Sequence, residues 1–162
     1  MFEVNIYIET DGGGQKKQFR TYAAIVEYIS QKGVPMTREA HGTEKATGNR
    51  IVLLALIAAL RILTKPCQAT VYIDSPYVVE NIRQGRMYEW LAGGWKTIRG
   101  EPIKNREEWE ELIRLVKKHE LIFATVKKHS YSSVMQNDIR KYRNQGMDWQ
   151  QQAIGGEETD EH

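Results

Sequence analysis

The residues with the clearest capacity for chemistry are three aspartates. Asp11 and Asp74 each follow a short β-forming run, Glu3 to Thr10 and Ala69 to Ile73, and Asp138 lies on a helix expected after another such run. If the first and fourth strands are neighbours, their carboxylates can share a magnesium or manganese ion, which prefers hard oxygen ligands and open water positions. Two such ions about 4 Å apart can activate a water and stabilise the leaving oxygen of a phosphodiester. Acids at strand ends are also common solvated caps, so spacing alone leaves both readings standing.

The elements that must position these acids are legible from periodicity. Val4, Ile6 and Ile8 alternate with polar neighbours in a strand that stops at Asp11-Gly12-Gly13-Gly14. Phe19 to Ser30 and Val34 to His41 complete a three-strand meander around the Lys32-Gly33 turn. Arg50 to Leu63 holds no Gly, Pro or acid and is apolar on most of its circumference, so a helix packed deep against a sheet is expected. Lys65-Pro66 stops it. Ala69 to Ile73 then leads through Asp74 to Ser75-Pro76, an N-cap and first residue of a helix through roughly Arg83. That order puts Asp74 at the carboxyl end of a strand, where mixed α/β sheets commonly present their sites. A loop-rich stretch with Trp90 and Trp95 leads to Asn105, an N-cap with Glu108 three residues on, and a helix through Lys118. Leu121 to Val126 is a fifth strand, and Ser132 or Ser133 caps the last helix.

Composition sets the outer bounds. The chain has 162 residues, 41% hydrophobic and 27% charged, with a formal charge of +2. It is long enough for one ordinary domain and too apolar for disorder. Near neutrality means that nucleic-acid affinity must come from the placement of cations rather than their excess. The single Cys67 excludes an internal disulfide and fits a reducing interior. The longest apolar run, Ile51 to Leu60, is too short to span a bilayer, and no secretory leader is visible, so a cytoplasmic monomer is expected. Residues 1–152 form the expected domain, and 153–162 an acidic tail that is expected to be frayed.

Several stretches match one family in order and spacing. They are Ile8-Glu9-Thr10-Asp11-Gly12, Asn49-Arg50 opening an apolar helix, Tyr72-Ile73-Asp74-Ser75-Pro76-Tyr77-Val78, Gly94-Trp95-Lys96-Thr97, Pro102-Ile103-Lys104-Asn105 with Trp109, and Val126-Lys127-Lys128-His129 before Asp138. Over residues 3 to 145 the chain resembles type 1 ribonucleases H of the bacterial kind. The resemblance implies a five-stranded mixed sheet, a three-strand antiparallel meander plus two parallel strands, flanked by helices. It implies an endonuclease that binds an RNA/DNA hybrid and cleaves the RNA strand with two metal ions, Mg2+ or Mn2+. Asp11, Asp74 and Asp138 match three of that family's four metal-holding acids, and His129 matches a mobile histidine of proton transfer or product release. Read alone, His129 is a polar strand-end residue.

The fourth acid should be a Glu two residues after Arg50, and that position is Val52. No Asp or Glu lies between Glu44 and Asp74, so no register shift recovers it. Metal binding should weaken accordingly. Glu9, two residues before Asp11 and on the same strand face, is a possible replacement about 7 Å along the strand, or else a partner of a nearby cation. Asp148 lies ten residues past Asp138, about 15 Å along a helix, too far to replace it. Where the family carries a Gln after the Asp-Ser pair, Pro76 offers no side-chain donor to a 2′-hydroxyl, so RNA discrimination is expected to relax. Asn49 and the backbone of Gly12 and Gly13 remain as contacts to the nucleic acid, although such loops are often only turns. The segment Tyr88 to Asn105 resembles a basic protrusion that holds the duplex, with Trp90 and Trp95 as anchors and Lys96, Arg99, Lys104 and Arg106 toward phosphates. Ala92-Gly93-Gly94 makes it less basic than in many members, so weaker hybrid binding is expected. The leading reading is a metal-dependent endoribonuclease on RNA/DNA hybrids, impaired at Val52. The competing readings are an inactive nucleic-acid-binding module and an interaction domain that reuses the fold.

Overall fold

The computed structural model describes residues 1–145. The tail from 153 to 162, the domain's last residues and Asp148 lie outside the described residues. Five strands form one mixed sheet, ordered β3-β2-β1-β4-β5. They are β1 (Phe2–Thr10), β2 (Gln18–Ile29), β3 (Pro35–Ala46), β4 (Cys67–Ile73) and β5 (Glu120–Thr125). The first three pair antiparallel, and β4 and β5 extend the sheet parallel to β1. The fold expected from the sequence is therefore the one observed.

Helix α1 (Gly48–Ile62) covers one sheet face together with α2 (Pro76–Arg83), α3 (Arg86–Ala92) and α4 (Arg106–Val116). Its apolar circumference is consumed by burial, since Ile51, Leu53, Leu56 and Leu60 are almost wholly inaccessible. Each such side chain contributes about 1.5–3 kcal/mol on leaving water. Thr47 caps this helix, its Oγ1 accepting the Arg50 N–H at 3.3 Å. Ser75 caps α2 in the same way through Val78 N–H, with Pro76 in the first turn. The last helix, α5 (132–145), lies across the other face, where Met135 and Ile139 pack on Tyr7, Ala23 and Ile25. Among the described residues no helix is long and apolar enough to cross a membrane.

Three local expectations need correction. The stretch around Trp90 is not all loop, because Arg86–Ala92 forms α3. Asn105 precedes α4 but does not cap it. It adopts a left-handed conformation, its amide donates to Tyr77 Oη, and Glu108 turns away to Arg50 at 2.6 Å. Nor does Ser132 cap α5, since it is already helical and its Oγ accepts the backbone N–H of His129 at 2.8 Å.

Candidate functional site

A cavity of about 580 Å3 opens where the carboxyl ends of β1 and β4 meet the start of α1. Its walls include Glu9, Thr10, Gly12, Gly13, Asn49, Val52, Asp74, Ser75, Lys127 and Gln136. The glycine loop is held tightly from behind. Arg20 is 2% exposed, and its guanidinium donates to the carbonyls of Ala46 at 2.9 Å, Gly12 at 3.0 Å and Lys16 at 3.0 Å. The start of α1 closes on the same loop, with Gly48 N–H donating to Gly14 O at 2.8 Å. A β-carbon at Gly48 would stand 2.6 Å from the Gly13 Cα, so only glycine permits this approach.

The acids do not converge as their order along the chain suggests. The parallel register sets Tyr7 beside Tyr72, so two residues on it is Glu9 that stands across from Asp74. Asp11 lies two residues further, about 7 Å along the strand. Its Oδ1 accepts the Thr21 N–H at 3.0 Å, and its Oδ2 is buried without a hydrogen-bond partner among the described residues. Arg143 Nε approaches that oxygen to 3.7 Å. Asp74 is exposed at the cavity wall. Asp138 sits on α5 two residues past Gln136, about 200° around the helix from it. Gln136 turns toward β1, whereas burial, then the Asp138 and Glu39 carboxylates, raise the pKa of Tyr142, which stacks on His41 of β3 at 3.7 Å.

Glu9 is already engaged. His129 Nε2 lies 2.8 Å from its Oε2, and Gln136 Nε2 donates to its Oε1 at 2.8 Å and to Thr10 O at 3.1 Å. The His129 Nδ1 accepts the Tyr131 N–H at 3.2 Å, so the neutral ring carries its proton on Nε2 and donates it to Glu9. With a side chain only 3% exposed, His129 is packed in place beside Tyr7 rather than free at a strand end. Tyr7 also stacks on Tyr72 at 4.7 Å. Burial, then the Glu27 carboxylate and the neighbouring tyrosines, push its pKa up to about 12. Tyr131 donates its hydroxyl to Glu27, and that bond, with burial, raises its own pKa.

Two divalent ions do not fit the side chains as they stand. Among the described residues no three His, Cys, Asp or Glu groups are close enough to hold an ion. Among the described residues Asp11 Oδ2 is the one buried side-chain polar atom without a hydrogen-bond partner, and the α1 wall of the cavity carries the apolar Val52. Of the residues expected at nucleic acid, Gly12, Gly13 and Asn49 line the cavity exposed, and Lys96 and Lys104 are exposed on the segment beyond α3. Trp95 is different. It is 4% exposed within the core, with Arg106 over its ring at 5.7 Å, so it anchors the segment instead of offering a ring to a duplex. Gln136, Arg143 and Arg20 were not singled out by sequence reading. The seven-residue spacing of Gln136 and Arg143, two helical turns, is the signal that could have found the first two.

A family model for RNase H matches residues 3–141. The chain is 38% identical over 128 residues to the ribonuclease H of Lachnoclostridium phytofermentans, covering 78% of this chain and 81% of that protein. It is 35% identical over 148 residues to the ribonuclease H of Clostridium botulinum, covering 88% and 95%. Among solved structures it is similar to LC9-RNase H1, a type 1 RNase H with the type 2 active-site motif, at a TM-score of 0.67 and 25% identity, covering 80% of this chain and 64% of that one. A foamy viral protease-reverse transcriptase solved with an RNA/DNA hybrid shares the fold, at a TM-score of 0.62 and 12% identity over 90% of this chain and 20% of that one. Matched from residue 3 to residue 141 and through most of the length of these bacterial relatives, the chain belongs to the ribonuclease H family.

Proposed function

We propose that this chain binds RNA/DNA hybrids across the cavity between β1, β4 and α1, and that it hydrolyses the RNA strand only weakly. The observation that carries the reading is Val52, buried in the cavity wall at the position where the family resemblance requires a glutamate. Family membership and relatives named ribonuclease H support the hybrid as substrate. The exposed Gly12, Gly13, Asn49 and Lys127 around the cavity suit a phosphate backbone, which is met by amides, amide side chains and cations. Magnesium or manganese is the cofactor this reaction requires. With Val52 in the wall and Asp138 about 200° around α5 from Gln136, the chain supplies too few oxygens to hold a pair of ions well.

The test compares wild type, Val52→Glu and Asp11→Asn on a labelled hybrid with magnesium and with manganese. Slow cleavage by wild type, lost in Asp11→Asn and at least about ten-fold faster in Val52→Glu, is the expected result. Rapid cleavage by wild type that Val52→Glu does not improve would overturn the proposed impairment. A second reading, a module that binds hybrids without cutting them, is favoured by Glu9, whose two oxygens are held by His129 and Gln136. Salt-dependent binding with no cleavage by any of the three proteins is the outcome that selects it.

A further inference from the structure

The acids at the end of β1 are matched by donors from α5 and the turn before it. Gln136 and Arg143 lie two turns apart on one helix face, and that face meets Glu9 and Asp11 in the order of the strand. Glu9 needs nothing more, because Gln136 holds one oxygen and His129 the other. Asp11 is less complete. Its Oδ1 is held by Thr21, while Oδ2 is buried with no hydrogen-bond partner among the described residues. A buried carboxylate oxygen in that state is costly unless a positive charge stands by it. The charge that stands by it is the Arg143 guanidinium, 3.7 Å away on a side chain that is half exposed.

We infer that Arg143 is the resident counter-charge of Asp11 and stands where a divalent ion would otherwise balance that carboxylate. The two acids at the end of β1 are then partnered by the chain itself, and hybrid binding proceeds without a metal. Only this last clause rests on the proposed hybrid-binding function. The placement fits Val52: one negative charge fewer on the helix wall leaves less to hold a doubly charged ion, and a fixed single charge suffices for Asp11. Arg143 also has room to withdraw, because half of its side chain already faces solvent. A metal can therefore reach Asp11 only in competition with it.

The test is a manganese titration of the full chain without nucleic acid, read from the electron paramagnetic resonance signal of free Mn2+. Arg143→Gln keeps much of the side chain's length and removes its charge at a half-exposed position, so the melting temperature should fall by only about 2–4 °C. Losing a half-screened ion pair should let Mn2+ bind about five- to ten-fold more tightly. Adding Asp11→Asn to Arg143→Gln should erase the gain. Equal Mn2+ affinity in wild type and Arg143→Gln, or a gain that survives Asp11→Asn, overturns the inference. In a second arm, hybrid affinity is measured with magnesium and with EDTA. Wild type should bind equally in both, and Arg143→Gln should bind more tightly with magnesium. A wild type that needs magnesium to bind overturns the metal-independent clause. A wild type that binds no hybrid in either condition refutes the proposed function, while the manganese titration still judges the counter-charge.

Discussion

Replacing Arg20 should loosen the loop that carries Asp11. The side chain is 2% exposed and spends three donors on the carbonyls of Ala46, Gly12 and Lys16, at 2.9 to 3.0 Å. A hydrogen bond to a charged group contributes about 1.5–3 kcal/mol, so the three together are worth roughly 5–9 kcal/mol before any offset. Removing a guanidinium from the interior also recovers several kcal/mol of desolvation. A net loss of about 3–5 kcal/mol is expected for Arg20→Ala, and at 2–4 °C per kcal/mol in a chain of this size the melting temperature should fall by about 10 °C. Arg20→Lys should recover less than half of that, because one ammonium cannot span three carbonyls set around a planar fork. Calorimetry measures the fall, and hydrogen exchange at residues 12–16 reports whether the loop is the part that loosens. A fall of less than about 2 °C in Arg20→Ala, with loop exchange unchanged, would refute the view that this buried cation holds the loop.

Two further outcomes test the groups around it. Glu9→Gln should cost about 1–2 kcal/mol of stability, since it removes the charge from bonds to His129 and Gln136. It should leave any metal-dependent cleavage near the wild-type rate; loss of cleavage at an unchanged melting temperature would instead make Glu9 the replacement ligand considered from the sequence. Tyr7 predicts an alkaline limit. Its folded pKa of about 12 exceeds the unfolded value near 10, so the stability it contributes is complete below pH 10 and is lost as pH rises through 12. Tyr7→Phe should flatten the fall of melting temperature across that window, and an identical fall in both proteins would refute the assignment.

The parts legible in the sequence are those fixed by neighbours along the chain. Ser75-Pro76 after an alternating strand gave both the end of β4 and the start of α2, because cap and fixed φ are local chemistry. Helix α1 was equally plain, its apolar circumference requiring a covered position. What remained hidden was set by pairing between distant segments. No local rule states that Tyr7 stands beside Tyr72, and that two-residue offset decides whether Asp11 or Glu9 faces Asp74. Asn105 had the residue type of a cap but was drawn to Tyr77 by the packing of Trp109, whose indole N–H donates to the same hydroxyl at 3.0 Å. Asp138 is an intermediate case. Met135 and Ile139 fix the buried face of α5 by their spacing, so a helical projection alone separates Asp138 from Gln136.

That projection changes how the missing acid at Val52 is understood. Had Asp138 shared the face of Gln136, the loss of one carboxylate would have left Asp11, Asp74 and Asp138 as a weakened metal cluster. Instead the face that meets β1 carries an amide and a guanidinium. The guanidinium acts in the same direction as Val52: the valine offers no negative ligand in the cavity wall, and Arg143 adds a positive charge beside Asp11. Coulomb attraction for a divalent ion scales with the net charge it meets, so the two effects reinforce each other, while a phosphate backbone is repelled less by the same pocket. A site with that balance collects cations less readily than one that carried a carboxylate at the Val52 position. The charge arrangement therefore offers less to a divalent ion and lowers the repulsion that a phosphate backbone would meet at the cavity.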